Sequence, residues 1–164
     1  MLLSKPHPIW WTAGSSPHKI AMATIQARMV SGRFRTASLC SHWSRNIDGN
    51  CQLSDSCSNT SEDISHILAN CVALQPTRQK LYSFTSNYCT NVSPVTRNIL
   101  EQFCTQSSER FCQFLLDCSV LPAVIRAVQE EGNDVLHHLF TVTRTWVYTL
   151  HKERLKKLGR WNLK

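Results

Sequence analysis

A mainly α fold is what this sequence predicts: one small helical domain with an irregular insert near its middle and a long C-terminal amphipathic helix. Three observations carry that expectation. No apolar/polar alternation of strand period persists along the chain, apolar residues recur instead at helical spacing, and serine, proline and glycine fall where helices start and stop. At 164 residues and 18.7 kDa the chain fits a single modest domain with a real but small core. It shows no internal repeat and no low-complexity segment.

Residues 1–16, with Pro6, Pro8 and the Trp10-Trp11 pair, read as an extended arm. Residues 17–164 then form the helical domain. Ser16-Pro17 is a cap followed by proline at the first helical position, which predicts a helix over residues 17–31 that stops at Gly32 and carries Ile20, Ala23, Ala27 and Val30 on one stripe. Residues 44–60 are polar and turn-rich, centred on Asp48-Gly49-Asn50. Asn59-x-x-Glu62 has capping-box spacing, and Ile64, Ile67 and Leu68 give the short helix after it an apolar face.

Further helices follow over residues 76–88, 94–105 and 110–117, and from Pro122 to near Gly132. The last is the best defined: Asn133 or Asp134 caps it, Leu136, Leu139, Phe140, Thr143, Val147 and Leu150 keep helical spacing, and Gly159 ends it after about 25 residues.

The net charge of +7 is unevenly placed. Residues 1–45 hold six bases and no acid, residues 46–132 nine acids against five bases, and residues 133–164 seven bases against two acids. Basic ends favour a polyanionic partner. There are eight cysteines, yet no apolar stretch near the N-terminus is long enough for an export signal, so the expectation is an intracellular protein, nuclear or cytoplasmic and not secreted, with reduced thiols. Asn59-Thr60-Ser61 and Asn91-Val92-Ser93 are then chance matches to the glycosylation sequon. No apolar run approaches the roughly 20 residues of a membrane span, and no membrane partner is expected.

The candidate site is the run Cys51-x5-Cys57-x8-His66-x4-Cys71. Three thiolates and one imidazole are the closed tetrahedral set that a structural Zn²⁺ takes. On an uninterrupted helix His66 and Cys71 would point about 140° apart, so the helix must end between them, and Asn70, tolerant of the left-handed conformation, is placed to end it. The gap from Cys51 to Cys57 is wider than the common knuckle, and Cys40 or His42 could replace Cys51. Cys104, Cys112 and Cys118 lie among phenylalanines and leucines with no local histidine and read as core. Of His137-His138 at most one can face the core. No nucleophile, base and orienting group converge, so neither catalysis nor a small-molecule substrate is expected.

Taken with its flanks, the run has a further meaning. Ser31-Gly32-Arg33-Phe34-Arg35-Thr36 with Leu39-Cys40-Ser41-His42-Trp43, the Cys51/Cys57 pair, then Glu62-Asp63-Ile64-Ser65-His66-Ile67-Leu68 and Cys71 resemble the region after the polymerase in non-LTR (LINE-type) retrotransposon reverse-transcriptase polyproteins. The stretches 8–17 and 111–116 also resemble the flanks of that region, so the likeness spans nearly the whole chain. It implies that Cys51, Cys57, His66 and Cys71 are CCHC ligands of one structural zinc ion in a zinc-knuckle-like insert.

The resemblance does not bring catalysis, because the polymerase needs an aspartate pair for two metal ions and no Asp-Asp occurs here. It implies a nucleic-acid-binding tail, for RNA or single-stranded DNA, without its enzyme. Arg33 and Arg35, and the cluster Lys152, Arg154, Lys156, Lys157 and Arg160, are the expected phosphate contacts. Trp43 and Phe34 are stacking candidates, although the ordinary reading of Trp43 is a place in the core. The C-terminal cluster is also what complements a helix dipole. The rival expectations are a protein-interaction piece that docks on a polymerase body in trans, motivated by the apolar stretch 103–128, or a relic of the element.

Overall fold

A computed structural model describes residues 6–159. They form eight α-helices: α1 Pro8–Trp11, α2 Pro17–Val30, α3 Ala37–Ser41, α4 Gln75–Cys89, α5 Pro94–Cys104, α6 Ser108–Asp117, α7 Pro122–Glu131 and α8 Asp134–Lys157. There is no strand among the described residues, only an isolated antiparallel bridge between Asn50 and Ser61. The mainly α expectation therefore holds.

Local chemistry explains most of the helix ends. Ser16 Oγ accepts from the Lys19 amide at the start of α2, Ser93 Oγ accepts from the Thr96 amide at the start of α5, and each is followed directly by proline, whose missing N–H costs nothing there. Gly32, at φ +67°, takes the left-handed conformation just past α2.

The organising element is α8. α1, α2, α4, α5, α6 and α7 all pack on it. Its buried side chains include the expected Leu136, Leu139, Phe140, Thr143, Val147 and Leu150, and also Val142, Arg144 and Trp146, so its middle is enclosed on more than one stripe. Trp146 shows how such a helix is held. Its ring meets Tyr82 and Phe111 edge-on at 4.9 and 5.2 Å, and its indole N–H donates to Thr85 Oγ1 at 2.8 Å. Beside it Phe103 and Phe114 stack at 4.6 Å. Cys112 and Cys118 are buried in this core and Cys104 is half-buried, as their apolar neighbours predict.

Three expectations are corrected. Residues 8–11 are helical rather than part of an extended arm. Arg144 donates to the carbonyl oxygens of Ile9 and Thr12 and to Thr12 Oγ1, which fastens α1 to α8 and buries Ile9 and Ala13. On α2 the buried face is Met22, Ala23, Gln26 and Met29, while Ile20 and Val30 are exposed. Gln26 is tolerated inside because its amide donates to Leu115 O and Thr143 Oγ1. Third, residues Ser108–Glu131 do have the length of a candidate membrane span, and an 18-residue window within them reaches a mean hydropathy of 1.6. Here they are two helices broken at Cys118–Val120, and Phe111, Phe114, Leu115 and Val124 face the core.

Candidate metal centre

Between α3 and α4 the chain is held by short-range hydrogen bonds. Glu62 N donates to Gly49 O and Cys51 N to Thr60 O, at 2.9 and 2.8 Å, so residues 49–51 run antiparallel to 60–62. Asp48 Oδ1 accepts from the Asn50 amide and sets the turn that enters this pairing. Gly49 sits close under α3: a Cβ there would stand 2.7 Å from Ser41 Oγ, so a larger residue would have to displace that hydroxyl. A tight turn over Asp55–Cys57, capped by Ser54 Oγ, then carries Cys57 back beside Cys51.

The helix that bears His66 begins at Asp63, whose Oδ1 accepts from the His66 amide at 2.7 Å. The expected Asn59–Glu62 capping box does not form, because Glu62 is used elsewhere. From His66 to Asn70 the helix widens to a π turn, and Cys71 N donates to His66 O at 2.7 Å. That i→i+5 bond answers the spacing problem, since the wider turn carries Cys71 round towards His66. Asn70 is not the left-handed stop expected of it: no residue other than glycine has positive φ among the described residues.

Cys51, Cys57, His66 and Cys71 are all buried, and their ligand atoms lie within 4.8 Å of one another. The sulfurs are separated by 3.3 Å (Cys51–Cys57), 3.8 Å (Cys51–Cys71) and 4.0 Å (Cys57–Cys71). A tetrahedral ion with metal–sulfur bonds of about 2.3 Å needs sulfurs about 3.8 Å apart. Both ring nitrogens of His66 are buried without a hydrogen-bond partner, which leaves one of them for coordination. The four residues could hold a metal ion. Cys40, half-buried, and His42, exposed, lie outside the cluster, so Cys51 completes the set.

Burial pushes the Cys51 thiol up to about 12, with the neighbouring Cys57 and Cys71 adding to the rise, and burial raises Cys71 as well. Burial also lowers His66 below the usual histidine range, against the pull of Asp63 and Glu62. Neutral imidazole is the form that ligates, and a bound cation reverses the preference of the thiols.

Two charged residues outside the candidate ligand set support this segment. Glu62, 1% exposed, accepts from Arg154 Nε at 3.1 Å and Nη2 at 2.5 Å, and its Oε1 also accepts from Ala37 N at the start of α3. Arg154 is therefore not a phosphate contact; its charge is matched inside the protein, over the ring of Phe34. Phe34 is buried and cannot stack on a base. Arg78 on α4, also buried, donates to Cys71 O.

The remaining candidates divide by position. Arg33, Arg35 and Trp43 line one hollow of about 460 Å³, walled by Leu39, Cys40 and Ile47. Trp43 is 85% exposed, so its expected place in the core is overturned. Lys152, Lys156 and Lys157 are exposed on the last turns of α8, and Arg160 lies outside the described residues. His137 is exposed and His138 bonds Tyr88 Oη; neither joins the cluster. No protein-family model, no curated protein and no solved structure matches the chain.

Proposed function

We propose that this chain is a zinc-stabilised module that binds single-stranded nucleic acid, RNA or DNA, and performs no chemistry itself. The observation that carries the nucleic-acid reading is the meeting of Arg33, Arg35 and Trp43 around one hollow that no acidic residue lines. An exposed indole offers a stacking face to an unpaired base, worth roughly 1–3 kcal/mol, and arginines beside it suit the flanking phosphates. Arg33 and Arg35 also border a second hollow together with Arg28, again with no acid in its lining, which extends the basic surface. Lys156 and Lys157 provide further phosphate contacts at the end of α8.

Zinc is the metal that three cysteines and one histidine favour, and with all four positions filled by protein the ion is structural. It fixes a segment of irregular backbone whose other fastening is the Glu62–Arg154 pair. The likeness to the tail of retrotransposon reverse transcriptases supports the same reading, with a polymerase body as a partner in trans and a reducing nuclear or cytoplasmic setting for the thiolates. In the stretch 103–128 that motivates the docking alternative, Phe103, Phe111, Phe114 and Leu115 are covered by the chain's own helices, while Val120 and Ile125 are exposed.

Two measurements test this. Metal content of the purified protein should be near one zinc per chain and be lost in Cys57→Ser and His66→Ala. Fluorescence anisotropy with labelled single-stranded RNA and DNA should show salt-dependent binding. Replacing both Arg33 and Arg35 by glutamate should weaken it and reduce the steepness of its salt dependence by about 0.7 for each phosphate no longer neutralised. Binding that is absent, or indifferent to salt, rejects the nucleic-acid reading and leaves the metal reading standing.

A further inference from the structure

Among the described residues three arginines are buried, and two of them leave no buried guanidinium nitrogen without a partner. Arg154 has the carboxylate of Glu62, and Arg144 has the oxygens of Ile9 and Thr12. Arg78 is the exception. It is 4% exposed; its Nη2 donates to Cys71 O at 2.5 Å and to Gln75 Oε1 at 3.0 Å, and its Nη1 is buried with no partner. The ion pairs among the described residues are His7–Asp117 and Glu62–Arg154, so no carboxylate serves it.

A guanidinium removed from water needs its buried N–H groups satisfied or a negative charge near it; Arg144 meets the first need with three oxygens, whereas Arg78 leaves Nη1 without a partner. The atom its Nη2 touches at 2.5 Å is the carbonyl oxygen of Cys71, one of the four candidate ligands. The metal centre is what remains. Three thiolates and a neutral imidazole around a divalent cation carry one net negative charge.

We propose that Arg78 is the counter-charge of the metal centre, a positioning residue whose buried guanidinium stabilises the anionic three-thiolate complex and holds the Cys71 carbonyl where the π turn ends. This rests on the zinc reading. It also explains why a cation sits in a core segment without a carboxylate, and it makes the site selective for a complex that is negative as a whole.

The test uses the full chain and measures Co²⁺ and Zn²⁺ affinity by competition with a chromophoric chelator, for wild type, Arg78→Met and Arg78→Lys. Each is repeated in a Cys57→His background, or Cys51→His where the first takes up no Co²⁺. That background has two thiolates and two imidazoles and is neutral overall. Far-ultraviolet circular dichroism checks that each loaded variant keeps its helices. Arg78→Met should weaken binding roughly tenfold to a hundredfold in the three-cysteine protein. Arg78→Lys should recover part of that, and the penalty should shrink to about threefold or less in the neutral background.

A loss of equal size in both backgrounds would make Arg78 a mere donor to a carbonyl and overturn the proposal, as would an Arg78→Met protein that binds like wild type. A wild type that takes up neither metal overturns the zinc reading and this inference with it.

Discussion

The amide of Cys71 donates to the carbonyl of His66, so two candidate ligands of one ion are also the two ends of one backbone hydrogen bond. A five-residue separation that an α-helix would splay apart is closed by a single π turn. The main chain itself thus brings the two residues together across one turn.

Asn70 tests this directly. Its backbone is right-handed, it is exposed, and its side chain makes one hydrogen bond, to Ser65 Oγ. Asn70→Ala should change stability by no more than about 0.5 kcal/mol and leave metal affinity as it was. A left-handed Asn70 would instead cost about 1–2 kcal/mol on conversion to alanine. Urea unfolding of the metal-loaded protein separates the two.

The Glu62–Arg154 pair gives a second expectation. Glu62→Ala strands a buried guanidinium and removes the acceptor for Ala37 N, so a loss of about 3–5 kcal/mol is expected. Arg154→Met together with Glu62→Gln should cost markedly less than the two single changes added together, because neither residue is then left charged and alone. Additive losses in the double-mutant cycle would show that the pair does not act as a unit.

Trp43 separates stability from binding. With 85% of its surface in water, Trp43→Ala should leave the melting temperature within a degree or two, where truncating a core tryptophan would cost about 3–5 kcal/mol. Affinity for single-stranded RNA should nevertheless fall, by about 1–3 kcal/mol. A large drop in melting temperature with unaltered RNA binding would reverse both assignments.

His151 sets an acid limit on the fold. It meets Phe34 edge-on at 5.0 Å, and its Nδ1 is buried without a partner. Burial first, then the charges of Arg154 and Arg28, pull its pKa from 6.5 down to about 4. The folded protein keeps the ring neutral while the unfolded chain takes a proton near 6.5, so stability is lost as pH falls from about 6.5 towards 4. Replacement by leucine should remove that part of the profile. The difference between wild type and His151→Leu should grow by of order 2 kcal/mol between pH 7 and pH 5, read from urea unfolding at each pH.

Helix ends were the most legible part of the sequence, because proline, serine and glycine act within a turn of where they stand. The starts at Pro17, Pro94 and Pro122 and the end near Gly159 follow from them. The buried face of α2 did not, since the inward place of Gln26 depends on Leu115 and Thr143, far away in the chain. Spacing and flanks brought out the four candidate ligands, while Cys40 and His42 could be set aside only once the pairing of residues 49–51 with 60–62 was visible. In the basic C-terminal cluster Arg154 stands apart. Arg154 looks like its lysine neighbours, and only the three-dimensional position of Glu62 sets it apart.

The enclosure of α8 bears on how the protein is made. Its partners precede it along the chain, so each leaves the ribosome with its apolar face uncovered and waits for the helix that completes the core. The contacts that close the structure, such as Arg144 with Ile9, join residues 135 positions apart. Burial of the first helices therefore waits for α8, and chaperone occupancy of nascent chains should persist until residues 134–157 have emerged.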